Sequence, residues 1–202
     1  MKSPMRIAAA AATAALVLGS GGAAFANRGG NHAPGSGHGG SHGTQAFEHQ
    51  QTQLKRQVAR VGNRMDHATR ESRLAPLADD VRAGVLANVE GDKAALADLS
   101  ALVDAATTRG DLNGLRTQLR DLRPENYDVT VADLRFAGRL STRVAELRAA
   151  AAGDPDALAT LDEADALVAS ATDKALAITA SSSKADVRAV RTDLSSAKHL
   201  VD

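Results

Sequence analysis

The chain has 202 residues, 24 basic and 24 acidic side chains, no cysteine, no tryptophan and 44% hydrophobic residues. That length gives room for one or two domains, and the even charge balance excludes the basic excess of a dedicated nucleic-acid binder. Without cysteine there are no disulfide staples and no cysteine-linked lipid anchor, so burial alone must hold the fold.

The first 26 residues are predicted to be a secretory signal, to be set aside in reasoning about the fold. Lys2 and Arg6 supply a positive start, Ile7 to Leu18 an alanine-rich apolar run, and Ala24-Phe25-Ala26 a small-x-small cleavage site before Asn27. Loss of Lys2 and Arg6 would leave 22 basic against 24 acidic residues, a net charge of −2. The apolar run is short for a membrane span and no 18-residue run follows it, so no transmembrane span is expected after cleavage. Retention of the segment as an N-terminal anchor is the alternative. The last residues, Lys198 to Asp202, carry neither an apolar tail nor a sortase-type signal. The expected location is therefore secreted or extracytoplasmic, with non-covalent attachment to the cell envelope.

Residues 27–44 are rich in glycine and histidine and offer almost no apolar surface to bury, which predicts a flexible linker. His32, His38, His42 and His49 place four histidines within 18 residues, the last of them beyond the linker. Neutral imidazole binds zinc, nickel and copper. The spacings of six, four and seven match no standard zinc framework, so weak metal binding is the alternative function and a plain linker the first expectation.

Beyond Thr44 the apolar residues recur at alternating intervals of three and four. The spacing predicts a helix over 45–73 with an inward face of Phe47, Gln51, Leu54, Val58, Val61, Met65 and Ala68. Ala75-Pro76 interrupts it, because proline disfavours helix in the preceding residue. A second helix over 77–107 uses Val81, Val85, Val89, Leu96, Leu99 and Val103, with a kink possible at Glu90-Gly91. Arg109-Gly110-Asp111 is expected to break the chain, with Gly110 as a left-handed cap and Asp111 as the next N-cap. The following helices are expected at 111–122, ending before Pro124, and at 126–152. Gly153-Asp154-Pro155 is a stop-and-restart signal leading into 154–180. Ser183-x-x-Asp186 has the form of a capping box, opening a last helix over 184–202.

No segment alternates with period two, so no strand is predicted. The expected fold is all-α: an elongated antiparallel helical bundle with coiled-coil-like seams, behind a signal peptide and a disordered linker. Alanine fills many inward positions, so each contact buries little area and the core is expected to be modestly stable for its length. The same seams can close within one chain or between chains, and the oligomeric state is left open.

The Asp111-Leu112-Asn113-Gly114-Leu115-Arg116 run, the helix start at Tyr127-Asp128-Val129 and the charged, alanine-rich closing helix from Ala185 to Leu200 carry a resemblance. Over residues 48–200 the chain resembles actinobacterial exported, Ala/Leu-rich helical proteins. That group has no established activity, so the resemblance implies fold and export alone.

Arginines recur one turn apart at Arg56, Arg60 and Arg64, at Arg116 and Arg120, and at Arg135, Arg139 and Arg143, each set on one helix face. The first helix is basic, while 154–180 holds six carboxylates against Lys174. Solvated faces whose opposite charges help helices choose neighbours are the plain reading. The sharper one is a contact surface for an anionic envelope polymer or anionic lipid, through Arg56, Arg60, Arg64, Arg135, Arg139 and Arg143. Arg109-Gly110-Asp111 also spells an integrin-recognition tripeptide, but its position at a helix break accounts for it. Tyr127 is expected to be buried with its hydroxyl tied to a neighbouring helix.

No metalloprotease, hydrolase, phosphate-loop or paired Glu-x-x-His motif is present. The expected function is that of an exported, non-catalytic binding or spacer protein of the cell envelope. It is expected to need no cofactor and bind no nucleic acid, its partner being an anionic polymer or another protein.

Overall fold

Seven helices and no strand occur among the described residues, where the three-four spacing predicts six helices. A computed structural model describes the backbone of residues 40–202 and the side chains from residue 44. The predicted signal segment and residues 27–39 of the predicted linker lie outside the described residues. The helices are α1 Gly40–Ala68, α2 Glu71–Leu74, α3 Asp79–Ala105, α4 Arg109–Asp121, α5 Glu125–Ala150, α6 Pro155–Leu176 and α7 Lys184–Val201.

Local chemistry sets most of the boundaries. α1 begins at Gly40, within the predicted linker, because extending an existing helix fixes one residue at a time and needs no new nucleus. It ends earlier than 73. The Thr69 hydroxyl donates to the Met65 carbonyl at 3.0 Å, and Arg70 turns extended at ψ 142°. α2 is one turn that buries Leu74, and Leu77 is buried just past Pro76. α3 runs unbroken through Glu90 and Gly91.

The Arg109-Gly110-Asp111 tripeptide does not break the chain. α3 stops at Ala105 because Ala106 is extended, and Thr108 is the N-cap of α4. The Thr108 hydroxyl accepts the Asp111 N–H at 3.1 Å, and the Asp111 carboxylate accepts the Thr108 N–H at 2.8 Å. Asp111 is thus the third helical residue of a capping box, not the cap, and these bonds hold its carboxyl below the usual carboxylate range. Gly110 lies inside the first turn and has no positive φ.

The other two signals act as expected. Gly153 sits at φ 100°, the one described residue with positive φ, and Asp154 accepts the N–H groups of Asp156 and Ala157 ahead of Pro155. Ser183 and Asp186 form the predicted capping box at the start of α7. α6 ends at Leu176, short of the predicted 180, for a reason that lies outside its own sequence and is described below.

Most predicted inward positions are buried, namely Leu54, Val58, Met65 and Ala68 on α1 and Val85, Val89, Leu96, Leu99 and Val103 on α3, while Phe47, Gln51, Val61 and Val81 are half-buried. α7 returns along α6, and α5 packs against both. α1 packs against α3, α4 and α5. One hydrophobic cluster runs through all seven helices.

Candidate functional site

Residues 177–183 connect α6 to α7. Ile178 and Ala180 are buried, so the backbone polar groups of this stretch need protein partners. Two helices supply them. From α3, the Asn88 side-chain amide donates to the carbonyls of Leu176 at 2.7 Å and Ile178 at 3.2 Å. Asp92 Oδ2 accepts the Ala180 N–H at 2.6 Å. From α5, the Asn126 amide donates to the carbonyls of Thr179 and Ser182, both at 3.0 Å. The Arg123 N–H donates to the Ala180 carbonyl at 2.7 Å.

Tyr127 ties the two sides together. It is fully buried, and its hydroxyl donates to the same Asp92 oxygen at 2.6 Å. Burial, reinforced by the neighbouring carboxylate, pushes the phenol well above its ordinary range. A phenol so placed is a donor fixed in its neutral form. α6 stops at Leu176 because Asn88, Asp92 and Asn126 take up the backbone bonds that a longer helix would have made itself.

This anchor fixes where α7 starts and thereby builds a groove of about 300 Å³ between the first turns of α5 and α7. Its walls carry Arg123, Lys184, Arg188 and Arg191 together with Glu125 and the anchoring Asn126. Lys184, Arg188 and Arg191 follow at intervals of four and three, on one face of α7. Arg191 Nε donates to Asp133 of α5 at 3.3 Å. Burial draws the Asp133 carboxyl upward, against the opposing pull of Arg191. Among the described residues, Arg123, Lys184 and Arg188 pair with no carboxylate.

The predicted arginine sets divide. Arg56, Arg60 and Arg64 are all exposed on α1 and pair with no carboxylate among the described residues. The adjacent Lys55 does pair, with Asp104. On α5 the set is uneven: Arg135 is exposed, Arg139 lies 5.5 Å from the Phe136 ring centre, and Arg143 reaches Glu146 at 3.5 Å. The acidic α6 meets its cations locally, as Arg148 of α5 bridges Asp162 at 2.6 Å and Asp165 at 3.4 Å. Lys174 donates to Asp193 at 2.6 Å.

A larger recess of about 540 Å³ lies between Pro76–Val81, α5 and α6, with Leu77, Val81, Leu134 and Val168 along it. Asp162 and Asp165 at its edge share the Arg148 guanidinium.

Of the four histidines, His32 and His38 lie outside the described residues. His42 falls in the first turn of α1, and its side chain is also outside them. His49 is exposed about two turns further on, its Nε2 2.8 Å from the Gln53 amide nitrogen.

Asn88, Asp92, Asn126 and the α7 cations went unremarked in the sequence. Lys184, Arg188 and Arg191 carry the same helical spacing as the other arginine sets and were legible by it. Asp92 and Asn126 were not, since polar residues at half-buried helix positions look alike until their partners are known.

Comparison with known proteins gives no match: no family model fits the chain, and neither a curated protein nor a solved structure matches it.

Proposed function

We propose that this chain is an exported, non-catalytic binding or spacer protein of the cell envelope, its helices forming an elongated antiparallel bundle with coiled-coil-like seams. Its contact face for an anionic polymer is the α1 stripe of Arg56, Arg60 and Arg64. The observation that carries the reading is that these three exposed guanidinium groups, one helical turn apart, have no carboxylate partner while Lys55 beside them has one. Evenly spaced, always-charged groups on a stiff rod suit a polyanion with regularly spaced charges. Arg135 extends the basic surface on α5, where Arg139 and Arg143 already have other contacts.

The test is retention of the protein on purified cell envelope at low and high salt, with and without residues 27–44. Retention at low salt that vanishes at high salt, persists without residues 27–44 and falls in the triple Arg56→Gln/Arg60→Gln/Arg64→Gln variant supports the reading. Equal retention of the triple variant would sink it.

A further inference from the structure

We infer that the groove between α5 and α7 is a binding site for a phosphate group, distinct from the α1 stripe and independent of its role. Four cationic side chains from two parts of the chain converge there: Arg123 from the α4–α5 connection, and Lys184, Arg188 and Arg191 from α7. Three of them lack a carboxylate partner, so their charge is not spent inside the protein. Glu125 is the acidic side chain on the wall, and Asp133 beneath is engaged with Arg191.

Concavity separates this cluster from the solvated arginines elsewhere. A recess of about 300 Å³ takes one phosphate with part of an attached alcohol. Arginine forks match phosphate oxygens in pairs, and lysine adds a point charge. α5 and α7 also begin at this groove, where Glu125 and Asp128 in the first turn of α5 and Asp186 in that of α7 offset the positive ends of the helix dipoles, so the attraction rests on the four cationic side chains.

Position is fixed from below. The anchoring bonds of Asn126 to Thr179 and Ser182, and of Arg123 N–H to Ala180, hold the two walls together before any ligand arrives. A site whose walls are already in place loses less entropy on binding. At the start of α7 the Ser183 hydroxyl accepts the N–H groups of Ala185 and Asp186, and its carbonyl takes that of Val187. The ligand contacts are therefore side-chain contacts, and substitution of those side chains reads the site directly.

The experiment is an amide NMR titration of the isotope-labelled full chain with inorganic phosphate at low ionic strength, against chloride at matched ionic strength. Saturable shifts confined to residues near 123–129 and 184–191 are expected, with affinity falling about tenfold or more in Arg123→Gln/Arg188→Gln. The Arg109→Gln variant, which removes an exposed charge elsewhere, should leave it unchanged, and unperturbed resonances outside the groove report that each variant is folded. Shifts spread over many arginines, equal in chloride or unaffected by the double substitution, would overturn the site. Glycerol-phosphate polymer and phosphatidylglycerol vesicles then identify the source of the phosphate. Tighter binding of the polymer than of free phosphate assigns a polymer diester, and displacement of phosphate by vesicles alone assigns a lipid headgroup.

Discussion

Tyr127 is the single tyrosine of the chain, so its absorbance reports one group. Its phenol is held neutral by burial and by the Asp92 carboxylate, which raises its ionisation above the ordinary value near 10. In the unfolded chain the phenol ionises first. The folded state therefore keeps this contribution below about pH 10 and loses it as pH climbs further. Ultraviolet titration should show no tyrosinate at the ordinary pH, and its appearance should coincide with loss of helical circular dichroism. Tyrosinate forming smoothly near pH 10 in a still-helical protein would contradict the buried bond. Tyr127→Phe leaves Asp92 with one donor fewer, and Asn126→Ala orphans two carbonyls of residues 177–183. Each should cost about 1–3 kcal/mol in urea denaturation. Neither dependence could be foreseen from the residues alone: burial of Tyr127 was legible, but Asp92 as its partner is 35 positions away.

At the scale of the element, the caps and the glycines make opposite predictions. Thr108→Ala and Ser183→Ala each remove a hydroxyl that accepts helix N–H groups, and each should destabilise by about 1 kcal/mol. Gly153 occupies φ 100°, where a side chain is strained, so Gly153→Ala should lower stability by about 1 kcal/mol. Gly91 and Gly114 lie inside helices, and a methyl group at either would meet nothing within 4 Å. Gly91→Ala and Gly114→Ala should therefore raise the denaturation midpoint, each by about 0.5–1 kcal/mol, because alanine has less backbone freedom to lose. A fall in the midpoint at either position would place an unseen contact there. Helix existence and most capping signals were written in the sequence because they act over three or four residues. Arg109-Gly110-Asp111 does not act as a break because Thr108 offers a capping oxygen three residues before Asp111, and the competition between these two caps is decided by where α3 stops.

Across the whole molecule, charge is distributed unevenly between engaged and free groups. Among the described residues the basic α1 does not pair with the acidic α6; its ion pairs are with α3, through Lys55–Asp104 and Asp66–Lys93, while Arg148 of α5 meets Asp162 and Asp165 of α6, and Lys174 of α6 meets Asp193 of α7. Such exposed pairs contribute about 0–1 kcal/mol each, so they fix register more than stability. The cations left over on α1 and in the α5–α7 groove should dominate binding to any polyanion. Measured against salt, the affinity for a phosphodiester polymer should fall steeply, with a shallower slope in Arg56→Gln/Arg60→Gln/Arg64→Gln. An unchanged slope would remove α1 from the contact. The sequence by itself determined the six long helices, most of their inward faces, and the caps at Asp154 and Ser183, because periodicity and capping are local. Only the tertiary structure decided that α6 ends at Leu176, that Asp92 and Asn126 hold residues 177–183, and that Arg123 meets Lys184 and Arg188. Those facts depend on groups many positions apart being brought within hydrogen-bond or charge range, and packing alone sets that distance.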